Sequence, residues 1–352
     1  MKTSWIVDLE VTMIMDRIPR FLGASARVLL AFSALAALAV VVGSCSSGKD
    51  GEKKGQAFKS PEEAVAALAG ALRADDTQAV ERILGTASSE LVASGDPVSD
   101  AAERRRFVEL FDARSRIDLE TPERAVLHVG DLDWPFPIPM AKTDGGWVFD
   151  TDEGIEEMIN RRVGRNELAA IQVCLAVVDA QKEYFSVDRD GDGRQAYADR
   201  FPSSPGKKDG LYWKTAEGEP PSPLGPLAAQ AFAEGYSRSK EQEGPTPYHG
   251  YCYRILKAQG SHAGGGARSY IEDGAMVGGF ALVAYPAEYG SSGIMTFIVS
   301  HDGIVFEKDL GEETEKIATE LKEYDPDSTW STVDPVEVPD ADSEGPQEKA
   351  KP

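Results

Sequence analysis

Residues 278–306 read GGFALVAYPAEYGSSGIMTFIVSHDGIVF. Three runs here are strand-like: 279–285, 294–299 and 304–307. They are rich in Val, Ile, Phe and Tyr, the residues that suit a pleated, buried surface. His301-Asp302-Gly303 gives the last two a tight connection, which implies antiparallel neighbours. Just upstream, 251–257 offers one more strand. Further upstream, 166–185 places Leu168, Ile171, Leu175 and Val178 at helical spacing, a core-facing stripe. A helix over about 312–323 closes this half. Between the long helix and the strands, 186–250 reads mostly as loop, rich in Gly and Pro.

The preceding half is helix-rich. Ser60-Pro61-Glu62-Glu63 combines an N-cap serine, a proline in the first helical position and Glu at the capping-box place. Val65, Leu68, Ala69 and Leu72 continue it at helical spacing. A second helix is expected over 77–84, stopped by Gly85. A third is expected over 99–113, with Phe107, Leu110 and Phe111 on one face. Strand-like pieces follow at 125–129, 138–142 and 146–149, the last after an Asp144-Gly145 turn. From 154 the pattern is helical again, with Ile155, Met158 and Ile159 as its stripe. Gly164 and Asn166 are expected to interrupt it, Asn166 capping the helix at 166–185. The fold class is therefore α+β in two modules, 58–165 and 166–326. An acidic tail at 327–352 is expected to be disordered.

The first 44 residues read as a targeting segment. Arg17, Arg20 and Arg27 precede an apolar run at 28–42 that ends in Val42-Gly43-Ser44-Cys45. This resembles the lipobox of bacterial lipoproteins, in which the cysteine is acylated and becomes the first mature residue. On that reading Cys45 is the lipidation site, carrying palmitate-type chains. The Gly/Lys/Ser-rich stretch up to residue 57 is then a flexible tether. Ser46, rather than Asp, follows the cysteine, which points to the outer membrane and the periplasmic side. The alternative is a transmembrane anchor, because the 28–44 run is near the shortest that spans a bilayer. Translation from Met15 would leave 30 residues before Cys45, an ordinary signal length.

Of 352 residues, 59 are acidic and 37 basic, a net charge of −22. So acidic a surface repels phosphate backbones and anionic headgroups, so no nucleic-acid partner is expected. Three cysteines occur. With Cys45 lipidated, Cys174 and Cys252 remain, and an oxidising compartment would allow one bridge between them, the alternative being two buried free thiols.

Several strings resemble one family. They are FKSPEEAVAALAGAL, DWPFPIP, NRRVGRNELAAIQVCLAVVDAQKEY, DGLYW, EGEPPSPLGPL, PYHGY, GGFALVAYPAEYGSSGIMTFIVSHDG and VFEKDLG, spread over 58–330. They are similar to bacterial envelope lipoproteins grouped as domain of unknown function 2950, which implies an address and no mechanism. Two looser likenesses concern fold. The first module is similar to cystatin-like and NTF2-like domains. The second is similar to the globular part of pseudopilins, a long helix on an antiparallel sheet. Its helix is internal and preceded by Asn160, Arg161, Arg162 and Arg165, so the pilin route of fibre assembly is not implied.

Candidate chemistry is sparse. DRDGDGRQAYAD (188–199) places Asp188, Asp190 and Asp192 at alternate positions and Asp199 at the twelfth, a spacing suited to calcium. Gln195, the Asp at 199 and Pro202 depart from the EF-hand pattern, and a solvated Asp/Gly turn is the alternative. His128, His249, His262 and His301 form no close ligand pair, and no nucleophile–base, Walker or dinucleotide signature occurs. Trp134-Pro135-Phe136-Pro137, and the 211–227 loop with Tyr212, Trp213 and four prolines, are candidate groove linings; packing onto the sheet is the alternative. The function expected is that of a non-catalytic, lipid-anchored envelope adaptor or accessory factor. A small-ligand-binding lipoprotein is the alternative, and an enzyme comes third.

Overall fold

The computed structural model describes residues 55–333 except 190, 192, 217 and 237–245. The expected targeting segment with Cys45, nearly all of the expected tether, and the residues from 334 lie outside the described residues. None of the described helices is long and apolar enough to cross a membrane.

Helix α1 (Pro61–Arg73) starts as its sequence dictates. Ser60 Oγ accepts from the Glu63 amide at 3.3 Å. Glu63 reaches back one residue further than a capping box requires, accepting from the Lys59 amide at 3.1 Å. Helix α2 (Thr77–Leu84) ends at Gly85, whose φ of 95° few other residues tolerate. A 3-10 turn (Thr86–Ser88) and the short α3 (Ser89–Val92) lead to α4 (Pro97–Ala113), capped by Asp96. Five antiparallel strands follow: β1 (Ser115–Thr121), β2 (Arg124–Val129), β3 (Trp134–Pro135), β4 (Met140–Thr143) and β5 (Gly146–Phe149). They run in the order β1-β2-β4-β5, with β3 also paired to β2. The helices bury Ala64, Val65, Leu68, Val80, Ile83 and Leu84 against Leu127, Ile138, Met140, Trp147 and Phe149 of the sheet region, forming one apolar core.

Helix α5 runs unbroken from Thr151 to Phe185, 35 residues. The break expected at Gly164 and Asn166 does not occur. A helical glycine costs only about 1 kcal/mol relative to alanine, and tertiary contacts here outweigh it. Arg162 and Asn166, one turn apart, are buried and both bond to the 291–292 loop. The boundary drawn between 165 and 166 thus falls inside one helix.

The second core is built on the sheet β14-β13-β12-β11-β6. Its strands are β6 (Tyr251–Leu256), β11 (Ala281–Pro286), β12 (Met295–Ser300), β13 (Val305–Asp309) and β14 (Ser331–Thr332), all antiparallel. Between β6 and β11, four two-residue strands make two ribbons: β7 (Ala258–Gln259) with β8 (Arg268–Ser269), and β9 (Ile271–Glu272) with β10 (Ala275–Met276). All of β11 is buried, because α5 covers one face and α7 (Thr314–Glu320) the other. The remaining helix, α6 (Gly225–Glu234), lies in the stretch expected to be loop and buries none of its residues fully. The protein is α+β, helix-rich in its N-terminal part and sheet-rich in its C-terminal part.

Candidate functional site

The best-formed aromatic cleft lies on the 211–232 segment. Its position is fixed at the end of α5. Leu211 is fully buried, and its amide donates to the Arg200 carbonyl at 3.2 Å while its carbonyl accepts from the Leu224 amide at 2.9 Å. The Tyr184 hydroxyl donates to the Lys208 carbonyl at 2.8 Å. Gly210 is obligatory, since a Cβ there would sit 2.8 Å from the Pro202 carbonyl carbon. Held this way, Tyr212 and Trp213 face Pro221, Pro226 and Phe232 across a cleft of about 340 Å³. Tyr212 and Phe232 meet edge to face at 6.0 Å between centroids, and Phe232 remains 54% exposed. Such a half-exposed ring beside a cleft is a contact surface rather than core.

The electrostatics of the cleft are local and cationic. Arg189 lies 5.4 Å and Lys208 5.5 Å from the Trp213 ring centroid, and Lys214 lines the cleft. Arg189 also pairs with Glu183 at 3.4 Å. Cations at this distance are held by the quadrupole of the indole. Besides its rings and prolines, the cleft is lined by Lys214, Thr215 and Ser222, and no carboxylate or imidazole is among the described lining residues.

The other groove candidate does not join it. Phe136 and Ile138 are buried in the N-terminal core, and Trp134 packs on Phe136 with Arg161 at 5.4 Å from its ring. A second, larger cleft of about 580 Å³ opens between the 86–90 turn and the start of α5, lined by Glu90, Asp152, Glu156 and Asn160 among others.

Of the calcium candidates, Asp190 and Asp192 lie outside the described residues. Asp188 accepts from the amides of Gly191 at 2.8 Å and Gly193 at 2.9 Å, closing the turn. Asp199 bonds Lys257 Nζ at 2.8 Å and Arg200 Nε at 2.9 Å. Burial raises its pKa, but these two cations more than offset that and hold it below the usual carboxylate range. Among the described residues, no group of three or more His, Cys, Asp or Glu side chains is placed to hold a metal.

Cys174 and Cys252 are both buried free thiols, pushed up by burial to about 12 and about 11 respectively. Strand alternation explains why they do not meet. Cys252 shares a sheet face with Tyr285, its cross-strand partner, and lies in the field of Glu315 on α7. Cys174 sits on α5, which covers the opposite face and lies in the surroundings of Tyr251 and Tyr253. The four histidines each sit beside an acidic residue: Asp133, Glu234, Asp325 and Asp302.

One polar cluster was not visible in the sequence. Asp96 caps α4 through Oδ1, and its Oδ2 accepts from the Tyr236 hydroxyl and the Gly250 amide, both at 2.8 Å. His249 follows in left-handed backbone, φ 50°, with Nε2 3.4 Å from Glu234. Tyr236 is pushed well above its ordinary pKa by burial and by Asp96. The signal available was the Tyr-His-Gly-Tyr string at 248–251, whose partners lie up to 154 positions away.

The chain belongs to the family described as "Protein of unknown function (DUF2950)", whose sequence profile matches residues 55–333. No curated protein matches it. No solved structure matches it either.

Proposed function

We propose that this chain is a lipid-anchored envelope protein that works without catalysis, as an adaptor that holds another envelope component in the aromatic cleft. The observation that carries the reading is the Tyr212–Trp213–Phe232 cleft, half-exposed and rigidly mounted, with cations around Trp213. Aromatic rings give large contact area at low entropic cost. The anchoring part of the proposal rests on Cys45 and the apolar run before it, and would place the protein at the outer membrane facing the periplasm. The test is recovery of a partner from native envelope with the wild-type chain and with Trp213→Ala and Phe232→Ala.

Binding of a small ligand is the second reading. It draws on the 580 Å³ cleft, whose Glu90, Asp152 and Glu156 favour a cationic or polyhydroxylated molecule. The finer fold likenesses belong with these proposals. What supports the pseudopilin likeness is α5 lying along one face of the β11-β12-β13 meander. What supports the cystatin-like one is a helical layer packed on an antiparallel sheet.

A further inference from the structure

The N-terminal sheet ends in an unpaired strand. β1 is its outermost strand, and no described residue pairs with the outer side of β1. Ser115, Asp118, Leu119, Glu120 and Thr121 are exposed, Leu119 by 55%. The direction of the backbone groups follows from their neighbours. The Gly130 amide bonds the Arg114 carbonyl at 2.8 Å, on the β2 side. The Leu127 carbonyl, opposite Ile117, instead turns away from β1 and accepts from the Phe136 amide at 2.7 Å. Alternation then puts the amides and carbonyls of Ser115, Ile117 and Leu119 on the open edge. Such a row is a template for another strand, and proteins ordinarily blunt it with proline, lysine or a cover. Residues 115–121 contain neither proline nor lysine. The irregularity in the pairing of β1 falls at its far end, between Leu119 and Thr121.

The side chains select the partner. Residues 114–120 read RSRIDLE, with Arg114 and Arg116 before Ile117, and Asp118 and Glu120 after it. Arg114 is extended as well, at φ −163° and ψ 135°. These four charges alternate onto one face, and Ile117 packs against the core on the other. With a second copy laid antiparallel along the edge, Ile117 against Ile117, Arg116 faces Asp118 and Arg114 faces Glu120 on both sides of the two-fold axis. Opposite charges directly across a ladder stabilise it, and like charges destabilise it. A slip of two residues sets Asp118 against Asp118, or Arg116 against Arg116. A slip of one sets outward backbone groups against inward ones. The charge pattern thus admits one register. Arg116 and Glu120 also hold intrachain partners, Asp133 and Arg124, which orient them before a copy arrives. On the core face, Leu119 comes diagonal to the second copy's Ile117, which covers its exposed side chain. The net charge of −22 repels copies in general, so association needs such a local match. We infer that β1 is a homodimer interface, joining two copies of this chain through one continuous antiparallel sheet centred on Ile117. This surface is separate from the Trp213 cleft and does not rest on the reading given to it.

The test uses two differently tagged forms of the full chain, expressed together and extracted in mild detergent, with co-recovery read through one tag. Wild-type forms should recover each other. Arg114→Glu/Arg116→Glu makes the charged face of the strand wholly acidic, and Asp118→Arg/Glu120→Arg makes it wholly basic. Each variant should recover itself at least about tenfold less well, since every charge pair across the axis becomes a like pair. Expressing the two variants together places opposite charges at every pair and should restore recovery to the wild-type level. Unfolded chains could not be rescued in this way, so the mixture separates loss of the interface from loss of the fold. Absence of self-recovery by the wild type would overturn the inference. So would self-recovery that both variants retain, or a loss that the mixture does not restore.

Discussion

Arg162 and Ser291 are joined by two hydrogen bonds across 129 positions of the chain. Arg162 Nε donates to the Ser291 carbonyl and Nη2 to its hydroxyl, each at 2.9 Å. The same guanidinium donates to the carbonyls of Leu91 at 3.1 Å and Glu90 at 2.7 Å. Thus a single side chain, 2% exposed, ties α5 to the α3 region and to the β11–β12 loop. Asn166, one turn on, adds a bond to the Ser292 carbonyl at 2.9 Å. Burial lowers the pKa of Arg162, and the nearby Glu103 and Asp100 oppose that. This polar pin, together with the unbroken α5, joins the two apolar cores.

Arg162→Met should therefore cost about 3 kcal/mol, because it strands several buried acceptors at once. Arg162→Lys should recover only part of this, since one ammonium cannot reproduce the planar fork. Urea unfolding measures both. A loss under about 0.5 kcal/mol for the Met variant, the size of an ordinary surface change, would show that the pin is dispensable.

Much of the fold was legible where local chemistry and tertiary packing agree. The Ser60 cap, the Gly85 stop and the β11 and β12 strands each follow from a few adjacent residues. Elsewhere the deciding contacts lie far off. Gly164 reads as a helix breaker until Arg162 and Asn166 are seen bonded to 291 and 292. β1 was missed because SRIDLET, on an exposed edge, has no apolar run. α6 was hidden by the prolines before it, although Pro226 in its first turn is a favourable starting residue. The aromatic cleft was legible as composition in the 211–227 loop. Its third aromatic ring, Phe232, was not, because it lies on that unseen helix.

Gly154 lies in the first turn of α5 against the 137–138 backbone. A Cβ there would fall 2.4 Å from the Pro137 carbonyl oxygen and 2.6 Å from the Ile138 Cα. Backbone cannot yield as a side chain would. Gly154→Ala should destabilise by about 1–3 kcal/mol, the usual cost of overpacking, despite alanine's better helix propensity. Thermal unfolding at or above the wild-type midpoint would contradict this.

His262 links the β7–β8 loop to the segment after α7. Its amide donates to Asp325 Oδ1 at 2.7 Å and its Nδ1 lies 2.9 Å from Oδ2. The hydrogen bond to Asp325 raises the His262 pKa above the ordinary 6.5. A raised folded pKa means that the contact stabilises fully below the unfolded value and weakens as pH rises through the folded one. NMR titration should place His262 above 6.5, and Asp325→Asn should return it toward that value. An identical titration in both forms would refute the coupling.

Lipidation at Cys45 predicts that Cys45→Ser removes fatty-acid labelling and leaves an uncleaved or soluble product. Fatty-acid incorporation in growing cells, followed by membrane fractionation, reads both effects. Equal palmitate incorporation by the variant would exclude Cys45 as the acceptor.

The adaptor reading stands or falls on the cleft at Trp213. Partner recovery from native envelope should be compared between the wild type, Trp213→Ala and Phe232→Ala, each matched for expression and melting temperature. Phe232 is more than half exposed, so its truncation tests the surface without opening the core. Recovery of a specific partner should fall roughly tenfold in both variants, the size expected for an aromatic anchor. Undiminished recovery by both folded variants would contradict a docking role for the cleft.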